Sequence, residues 1–358
     1  MLECHFYALP AGQGDCLVIQ FQGDDGGYHN ILIDGGNRNQ LEFNIQKRML
    51  ISIIDNGNKG IFDLVIVTHS DDDHISGILK IMGDSDLEPL VKELWFNSEK
   101  TINSFFNTKC KNTQKYNLEG KIIGSNKSSR AQDNNLYTLL DKGNKWNKRI
   151  ILSGMSEKIA NLTINILSPT KDKLSALNKY WPKQKLGPVK SSGEYGYDYK
   201  TSLREFYEKI DNFTEDDSVV NGASIALSIE WKERRFLLLS DAHPTIVAAS
   251  IKDLYGVEKT TFDIVKMSHH GSAKNINNDL LSLISCRDFV VSADANKRHF
   301  HPNKEALSRV LFSNGIENTI FHFTYDKEEL RNIFLSEPDV MVRFPCNKND
   351  GVHLSYEY

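Results

Sequence analysis

The first 96 residues of the chain consist of short apolar segments separated by polar turns. Leu64–Val67 is an unbroken run of branched aliphatic residues, which is typical of a strand buried on both faces. Residues 41–55 place apolar side chains at the i, i+3 and i+4 spacing of an amphipathic helix, and Ile75–Met82 predicts a second, shorter helix. The other strands predicted in this part are His5–Leu9, Cys16–Phe21, Asn30–Ile33 and Leu94–Phe96.

Regular patterning returns after residue 215. Ile225, Leu227 and Ile229 alternate with smaller residues, and a second apolar run follows the turn KERR, which predicts a β-hairpin. Later segments predict a helix at 244–254, a strand at 264–267 and a helix at 303–312. Because the sequence has neither a GxGxxG motif after a strand nor a Walker A motif, this pattern favours an α/β sandwich over a nucleotide-binding parallel sheet.

The middle of the chain has a different character. Residues 97–215 are rich in Asn, Lys and Ser and show weak periodicity apart from Asn161–Leu167. We therefore expect a single domain over residues 1–358, with a core formed by about 1–96 and 216–358 and a basic, partly irregular subdomain inserted at about 97–215. Residues 183–200 are predicted to form a loop.

The composition of the 358 residues, 40% hydrophobic and 25% charged, is that of a globular protein. No apolar run approaches the roughly 18–20 residues that span a bilayer, and the N-terminus lacks the pattern of a signal peptide. The cysteines are odd in number and scattered: Cys4, Cys16, Cys110, Cys286 and Cys346. Such spacing predicts free thiols in a reducing compartment, so we expect a cytoplasmic protein without membrane association.

The candidate chemistry is concentrated in the sequence HSDDDH, which directly follows the predicted strand ending at Val67. On an extended loop His69 and Asp71 project to the same side, and Asp73 and His74 begin the next helix. Imidazoles and carboxylates at a strand end are typical ligands of Zn²⁺ or Mn²⁺. The alternative is a polar turn with Asp73 as helix N-cap. Two His and three Asp within six residues favour the metal site.

Two further predicted strands end in residues that bind metals. Leu237–Leu239 is followed by Ser240 and Asp241, and the strand ending at Met267 is followed closely by His269 and His270. If each feature is considered alone, the simpler interpretation of Asp241 is an ordinary turn residue, and that of the histidine pair is two surface or core residues. Three strands that all end in such residues favour one shared metal site over three unrelated turns.

Collectively these motifs resemble the metallo-β-lactamase superfamily, most of all the HxDxDH variant of its ComEC-type branch. The resemblance covers the chain outside the predicted insertion. Besides HSDDDH, its motifs are GQGD at Gly12–Asp15, ILIDGG at Ile31–Gly36, Asn221 with Ser224, LLLSDA, KMSHHGS, and Asn296 with His299–Pro302. The resemblance implies a four-layered αββα sandwich with a dinuclear metal centre on one edge.

The resemblance also implies a role for each candidate ligand. The implied ligands are His69 and Asp71 for one ion, Asp73, His74 and one of His269 and His270 for the other, and Asp241 as a bridge. Asp34 would orient the HSDDDH loop from the second coordination shell. No histidine lies between His74 and His243, so the usual third imidazole of the first ion is missing. The second member of the histidine pair could replace it, the ion could be weakly held, or His243 could contribute as a lesser candidate.

Two divalent ions, Zn²⁺ or Mn²⁺, would lower the pKa of water toward ~7 and so provide hydroxide at neutral pH for attack on phosphorus or a carbonyl carbon. We expect Asp73 to take part in catalysis. His301, or the non-ligand member of the pair, would protonate the leaving group, and Lys266 and Ser272 would contact a phosphate, with Asn296 nearby. The alternatives are a strand-edge cation for Lys266 and turn or helix-start roles for Asn296 and His301.

The formal net charge of -4 is unevenly distributed. Between Glu99 and Lys190 there are 18 Lys and Arg against 6 Asp and Glu, a net +12 that leaves -16 for the remainder. Aromatic residues are interspersed in this basic segment: Phe105, Phe106, Tyr116, Tyr137, Trp146, Tyr180 and Trp181. Lysines that neutralise phosphates and aromatics that stack on bases predict a nucleic acid substrate. The alternative is a solvated surface over a small core of the insertion's own.

These observations lead to three functional hypotheses. The first is a metal-dependent phosphodiesterase or nuclease that acts on DNA or RNA, with the basic segment 99–190 holding the polymer. The second is a hydrolase of a small phosphodiester, ester or thioester. The third, motivated by the missing imidazole, is a binding or regulatory module with a degenerate metal site. The sequence does not identify a protein partner.

Overall fold

The computed structural model describes residues 2–55, 60–109, 129–181, 197–209, 212–297, 299–347 and 350–358. Cys110, Tyr116 and most of the loop predicted at 183–200 lie outside these residues. The described residues form two β-sheets with helices packed on them.

The first sheet carries the N-terminal strands. Its members are β1 (Glu3–Ala8), β2 (Leu17–Gln22), β3 (Tyr28–Ile33), β4 (Leu64–Val67), β5 (Leu94–Phe96) and β14 (Val352–Glu357). Their order is β14-β1-β2-β3-β4-β5. The strands from β14 to β3 are antiparallel neighbours, whereas β3, β4 and β5 run parallel. All residues of β4 are buried, as its uniformly aliphatic sequence predicts.

The second sheet has eight strands. They are β6 (Ser156–Ile159), β7 (Leu162–Ser168), β8 (Ala226–Trp231), β9 (Arg234–Leu238), β10 (Thr260–Lys266), β11 (Ile284–Val291), β12 (Ile320–Phe323) and β13 (Met341–Arg343). Their order is β13-β12-β11-β10-β9-β8-β7-β6, with β9 to β13 parallel and the others antiparallel. The hairpin predicted around KERR is β8–β9 and is confirmed.

Ten α-helices occur in the described residues. They are α1 (Gln40–Asp55), α2 (Asp72–Met82), α3 (Glu99–Phe105), α4 (Ser129–Leu140), α5 (Lys171–Tyr180), α6 (Leu203–Tyr207), α7 (Pro244–Tyr255), α8 (Asn278–Leu281), α9 (Lys304–Asn314) and α10 (Glu328–Arg331). Short 3-10 turns occur at Glu88–Leu90, Asn221–Ala223 and Ser268–Gly271. The helices predicted at 41–55, 75–82, 244–254 and 303–312 are therefore confirmed as α1, α2, α7 and α9.

Three apolar clusters define four layers. The central cluster lies between the sheets and joins Phe6 and Ile31 of the first to Trp231 and Phe236 of the second. A second cluster packs α1, α2 and α4 on the outer face of the first sheet, and a third packs α7, α8 and α9 on the outer face of the second. The predicted four-layered αββα sandwich is thereby confirmed.

The segment predicted as an insertion is more closely integrated than the sequence suggests. β6 and β7 lie within residues 97–215, yet they form the edge of the eight-stranded sheet through pairing of β7 with β8. Trp146, with Leu136 and Leu140 of α4, joins the apolar cluster on the first sheet. The boundaries 1–96 and 216–358 therefore do not enclose the whole core. The sequence did not reveal this for β6, because the residues of this edge strand are only exposed or half-buried and largely polar.

No helix among the described residues is both long enough and apolar enough to cross a membrane.

Candidate metal centre

The predicted ligand residues meet because four strands end at the same edge of the sandwich. β3 and β4 are parallel neighbours, so Asp34 and the HSDDDH loop, which follow their last residues, lie side by side. β9 and β10 are also parallel neighbours, and they deliver Asp241 and the histidine pair in the same way. One half of the cluster therefore comes from each sheet.

The backbone is strained where it turns into this cluster. Asp34, Ser240, His269 and His270 all have positive φ, at 57°, 47°, 45° and 56°. Such conformations cost a non-glycine residue on the order of 1–3 kcal/mol each, and they persist where the surrounding structure enforces them. The concentration of these four residues after three strand ends indicates a functional site.

Asp241 lies at the centre of the cluster, and its two carboxylate oxygens face different imidazoles. Oδ2 is 3.6 Å from Nε2 of His69 and 3.6 Å from Nε2 of His269. Oδ1 is 3.4 Å from Nε2 of His74 and 3.8 Å from Nε2 of His270. Four imidazoles are thus divided into two pairs by one carboxylate, which is the arrangement expected of a bridging ligand.

The HSDDDH carboxylates supplement each pair. Asp71 Oδ2 is 3.8 Å from Nε2 of His69, and Asp73 Oδ2 is 3.6 Å from Nε2 of His270. Asp71 therefore adjoins the pair His69 and His269, and Asp73 adjoins the pair His74 and His270, with Asp241 between the two pairs. The side chains of Asp71, Asp73 and His269 are 32%, 17% and 24% exposed, so the open side of the cluster lies at these residues.

Asp34 holds the HSDDDH segment from behind, as the sequence predicts. Its carboxylate accepts hydrogen bonds from the amide of Thr68 (2.8 Å) and the hydroxyl of Thr68 (2.6 Å). It also lies 2.7 Å from Nδ1 of His74, which must donate because the carboxylate accepts. The lone pair of His74 Nε2 is therefore directed at the cluster, as in carboxylate–histidine–metal sites.

Two close backbone contacts fix this geometry. Gly35 N donates to the carbonyl of His74 at 3.0 Å, and Gly77 N donates to the carbonyl of Gly36 at 3.0 Å. The start of α2 can approach the Asp34 loop this closely because neither Gly35 nor Gly77 carries a Cβ.

Strong electrostatic coupling shows in the pKa values. Burial and the neighbouring His74 lower the pKa of His69 to about 4. Burial and the nearby Asp73 raise the pKa of Asp71 to about 6. Burial would lower the pKa of His269, but Asp241 and Asp216 raise it to about 9. Neighbouring groups of one type thus have pKa values far apart, which is typical of functional sites.

The residues present fit a bound divalent cation. Nε2 of His69 and Oδ1 of Asp241 are buried and have no hydrogen-bond partner among the described residues. Buried polar atoms are nearly always satisfied, so two such atoms facing one space indicate a ligand. Ligand atoms lie within 4.8 Å of one another in the groups His69–His74–Asp241 and Asp73–His74–His270. A mixed nitrogen and oxygen donor set suits Zn²⁺ or Mn²⁺.

Two residues that orient His269 were not predicted. Nδ1 of His269 lies 2.9 Å from Oδ1 of Asn275 and 3.6 Å from Oδ2 of Asp216. Since both oxygens accept, Nδ1 carries the proton and Nε2 faces Asp241. Asp216 and Asn275 are common polar residues in segments without a family motif, so no sequence signal distinguished them.

Asn296 and His301 lie beside the cluster. Asn296 donates to Oε1 of Gln13 at 2.6 Å, and Gln13 in turn donates to Asp73 at 3.3 Å. The ring of His301 is 5.0 Å from that of His269, centroid to centroid. Burial and nearby histidines hold the pKa of His301 well below its usual range, which favours the neutral ring.

Lys266 and Ser272, which the sequence predicts as phosphate contacts, are both buried in the structure. Lys266 is fully buried, and its Nζ contacts Oδ2 of Asp15, so it neither faces a substrate nor lies at a strand edge. Ser272 is 4% exposed, and its hydroxyl accepts from the amide of Lys274 at 3.3 Å. Lys266 is the last residue of β10 and Ser272 follows the histidine pair, and both are packed inside the protein.

His243 lies outside the cluster. Its Nε2 donates to the carbonyl of Ser218 at 3.1 Å, and its Nδ1 accepts from Nζ of Lys173 at 2.6 Å. Both ring nitrogens are therefore engaged, and neither is available to a metal.

We expect the His243→Asn variant to retain the metal content of the wild-type protein, because His243 lies outside both ligand groups. Metal analysis after zinc loading measures this. His270→Asn is the matched comparison and should lose metal. Loss of equal amounts of zinc from both variants would contradict the assignment.

No family model matches the chain, and no curated protein matches it. Among solved structures, it is similar to the metallo-β-lactamase fold protein YhfI from Bacillus subtilis, with 10% identity, coverage of 99% of this chain and 100% of that chain, and a TM-score of 0.45. It is also similar to Zn²⁺-bound PqqB from Methylobacterium extorquens, with 11% identity, coverage of 98% and 99%, and a TM-score of 0.40. For a long form of RNase Z from yeast the identity is 8%, the coverage 90% of this chain and 36% of that chain, and the TM-score 0.36.

The chain is thus a two-sheet αββα sandwich with a candidate His/Asp metal centre at one edge.

Proposed function

We propose that the chain is a metal-dependent hydrolase of phosphodiester bonds whose substrate is DNA or RNA. The observation that carries the hydrolase assignment is the division of four imidazoles between the two oxygens of Asp241. In this proposal His69, Asp71 and His269 hold one ion and Asp73, His74 and His270 hold the other, with Asp241 shared. His269 thus takes the place of the imidazole that is missing from the sequence pattern.

When bound, two divalent ions at such a centre lower the pKa of water toward about 7 and stabilise the negative charge that develops on a phosphate oxygen. The protein's own side chains fix the geometry. Asp34 and Asn275 hold the rings of His74 and His269, and Gln13 orients Asp73. Burial and nearby histidines lower the pKa of His301, which favours a neutral ring that hydrogen-bonds the substrate over one that delivers a proton.

The proposed nucleic acid substrate is supported by a contact between the basic segment and the cluster. Ser129, the first residue of α4, donates a hydrogen bond to Asp71. Exposed lysines of the described part of this segment include Lys109, Lys142, Lys158, Lys171 and Lys179. They would neutralise phosphates of a bound strand, and such binding weakens steeply with salt.

Two of the predicted stacking residues do not support base recognition. Trp146 and Trp181 are 6% and 1% exposed. Trp146 packs against the first sheet, and Trp181 belongs to a small cluster with Ile102, Leu174 and Leu177 of the basic segment. Phe105, at 41% exposed, remains accessible. The proposal therefore depends on attraction between exposed lysines and the phosphates of the nucleic acid, and not on stacking of bases on the tryptophans.

A cleavage assay tests the proposal. We expect the purified protein, loaded with Zn²⁺ or Mn²⁺, to cleave single- or double-stranded DNA or RNA at a rate that falls as salt rises. Asp73→Asn should abolish cleavage, and Asp288→Asn, which alters a carboxylate paired with His322 on the second sheet, should not. Absence of cleavage with every combination, or equal cleavage by Asp73→Asn, would overturn the proposal. Turnover of small phosphodiesters without polymer cleavage would favour the second hypothesis.

A further inference from the structure

A buried ion pair lies behind the metal cluster. Asp15 belongs to the loop between β1 and β2, and Lys266 is the last residue of β10, so the pair joins the two sheets. Asp15 is 1% exposed and Lys266 0% exposed, and Nζ of Lys266 contacts Oδ2 of Asp15. Burial of a charge pair is costly and contributes little to net stability, so its position beside the cluster calls for another explanation.

The other oxygen of Asp15 is directed at His270. Asp15 Oδ1 lies 3.5 Å from Nδ1 of His270 and has no hydrogen bond of its own among the described residues. The same Nδ1 lies 3.0 Å from the carbonyl of Ser292. Both oxygens only accept, so Nδ1 carries the proton and the lone pair of Nε2 faces Asp73, His74 and Asp241. The hydroxyl of Ser292 donates to the carbonyl of Gly14 at 2.7 Å, which ties this strand end to the Asp15 loop.

This arrangement resembles the one behind His74, with two differences. Asp34 lies 2.7 Å from Nδ1 of His74, whereas Asp15 lies 3.5 Å from Nδ1 of His270, which donates to the Ser292 carbonyl. Asp34 is also held by the Thr68 amide and hydroxyl, whereas Asp15 is held by a cation. Ligand atoms of Asp15, Asp34 and His74 lie within 4.8 Å of one another. A carboxylate at the Asp15 position would therefore compete for a metal if nothing neutralised it.

We propose that Asp15 and Lys266 are positioning residues for His270, an inference that rests on the proposed function. Asp15, by its charge and together with the Ser292 carbonyl, fixes the orientation and tautomer of the His270 ring. Lys266 holds Asp15 against that ring and keeps its carboxylate out of the ligand set. The pair thereby tunes only the ion held by Asp73, His74 and His270, and leaves the other ion unaffected.

The test measures zinc affinity of the full chain by competition with a chromogenic chelator. The main variant is the double substitution Asp15→Leu with Lys266→Met, which replaces the pair by apolar side chains and leaves no unpaired buried charge. The matched control is Lys266→Arg, which keeps a cation next to Asp15. Thermal unfolding of each apo-protein reports folding separately from metal binding.

We expect the double variant to bind one zinc ion with wild-type affinity and the other roughly 10- to 100-fold more weakly, the usual cost of losing an outer-shell partner. Lys266→Arg should bind both ions as the wild type does. A purely structural pair would change thermal unfolding without separating the two affinities. Wild-type affinity for both ions in the folded double variant would overturn the inference.

If Asp15→Leu with Lys266→Met does not fold, Asp15→Asn with Lys266→Met is measured in its place against the same criteria, because the amide preserves the shape of Asp15. A wild-type protein that binds fewer than two zinc ions would overturn the proposed function together with this inference. A wild-type protein that binds two ions, beside a variant that binds both equally well, would overturn this inference alone.

Discussion

Replacing Asp241 by Asn is expected to remove both metal ions from the protein and to abolish hydrolysis. Both proposed ligand groups depend on the Asp241 carboxylate, since Oδ2 faces His69 and His269 while Oδ1 faces His74 and His270. Loss of an outer-shell partner alone costs roughly 10- to 100-fold in metal affinity or activity, and loss of a shared ligand should exceed that. Metal analysis and the cleavage rate measure the effect.

The control for this experiment is Asp288→Asn. Asp288 lies on β11 and accepts a hydrogen bond from Nε2 of His322 at 2.6 Å, so it is also an aspartate paired with an imidazole. The control should keep both zinc ions. Two equivalents of zinc in Asp241→Asn would show that the carboxylate does not bridge.

Gly77→Ala is expected to destabilise the fold severely, although alanine is favoured over glycine within a helix by about 1 kcal/mol. A Cβ on Gly77 would lie 1.6 Å from the carbonyl oxygen and 2.2 Å from the carbonyl carbon of Gly35. Both are backbone atoms and cannot rotate away. Since overpacking typically costs 1–3 kcal/mol and more where the backbone must move, we expect a loss above about 3 kcal/mol in the free energy of unfolding measured in urea.

Gly83→Ala, at the C-terminal end of the same helix, is the matched control. A Cβ there would meet its nearest neighbour, the carbonyl oxygen of Leu79, at 3.4 Å, an ordinary contact. Its effect should stay within about 0.5 kcal/mol. A Gly77→Ala protein as stable as Gly83→Ala would mean that α2 and the Asp34 loop are not in close contact.

The sequence predicts those parts of the site in which a ligand residue comes shortly after a predicted strand. Ligand residues follow directly after apolar runs, and the ends of parallel strands meet at one edge of a sheet. Strand pairing places Asp34 beside the HSDDDH loop and Asp241 beside the histidine pair, and the packing of the two sheets on each other brings these two halves together. The β8–β9 hairpin and helices α1, α2, α7 and α9 follow from hydrophobic periodicity in the same way.

Contacts between distant segments were not predictable from local patterns. Lys266 has the sequence surroundings of an exposed cation, but its partner Asp15 lies 251 residues away. β6 was overlooked because it is short and its sequence, SEKI, is largely polar, as an edge strand allows. Sequence alone left open which of His269 and His270 faces the cluster; in the structure both do, through positive φ angles that their residue type does not predict.

The origin of the ligands in both sheets gives the metal centre a mechanical role. His69 and His74 follow a strand of the first sheet, whereas Asp241, His269 and His270 follow strands of the second. Ions bound among them would cross-link the two halves of the sandwich, and binding to the folded state alone would stabilise it by about 2.7 kcal/mol at a concentration 100-fold above the dissociation constant. Removal of the ions by a chelator would therefore weaken the association of the two sheets as well as remove the reactive centre.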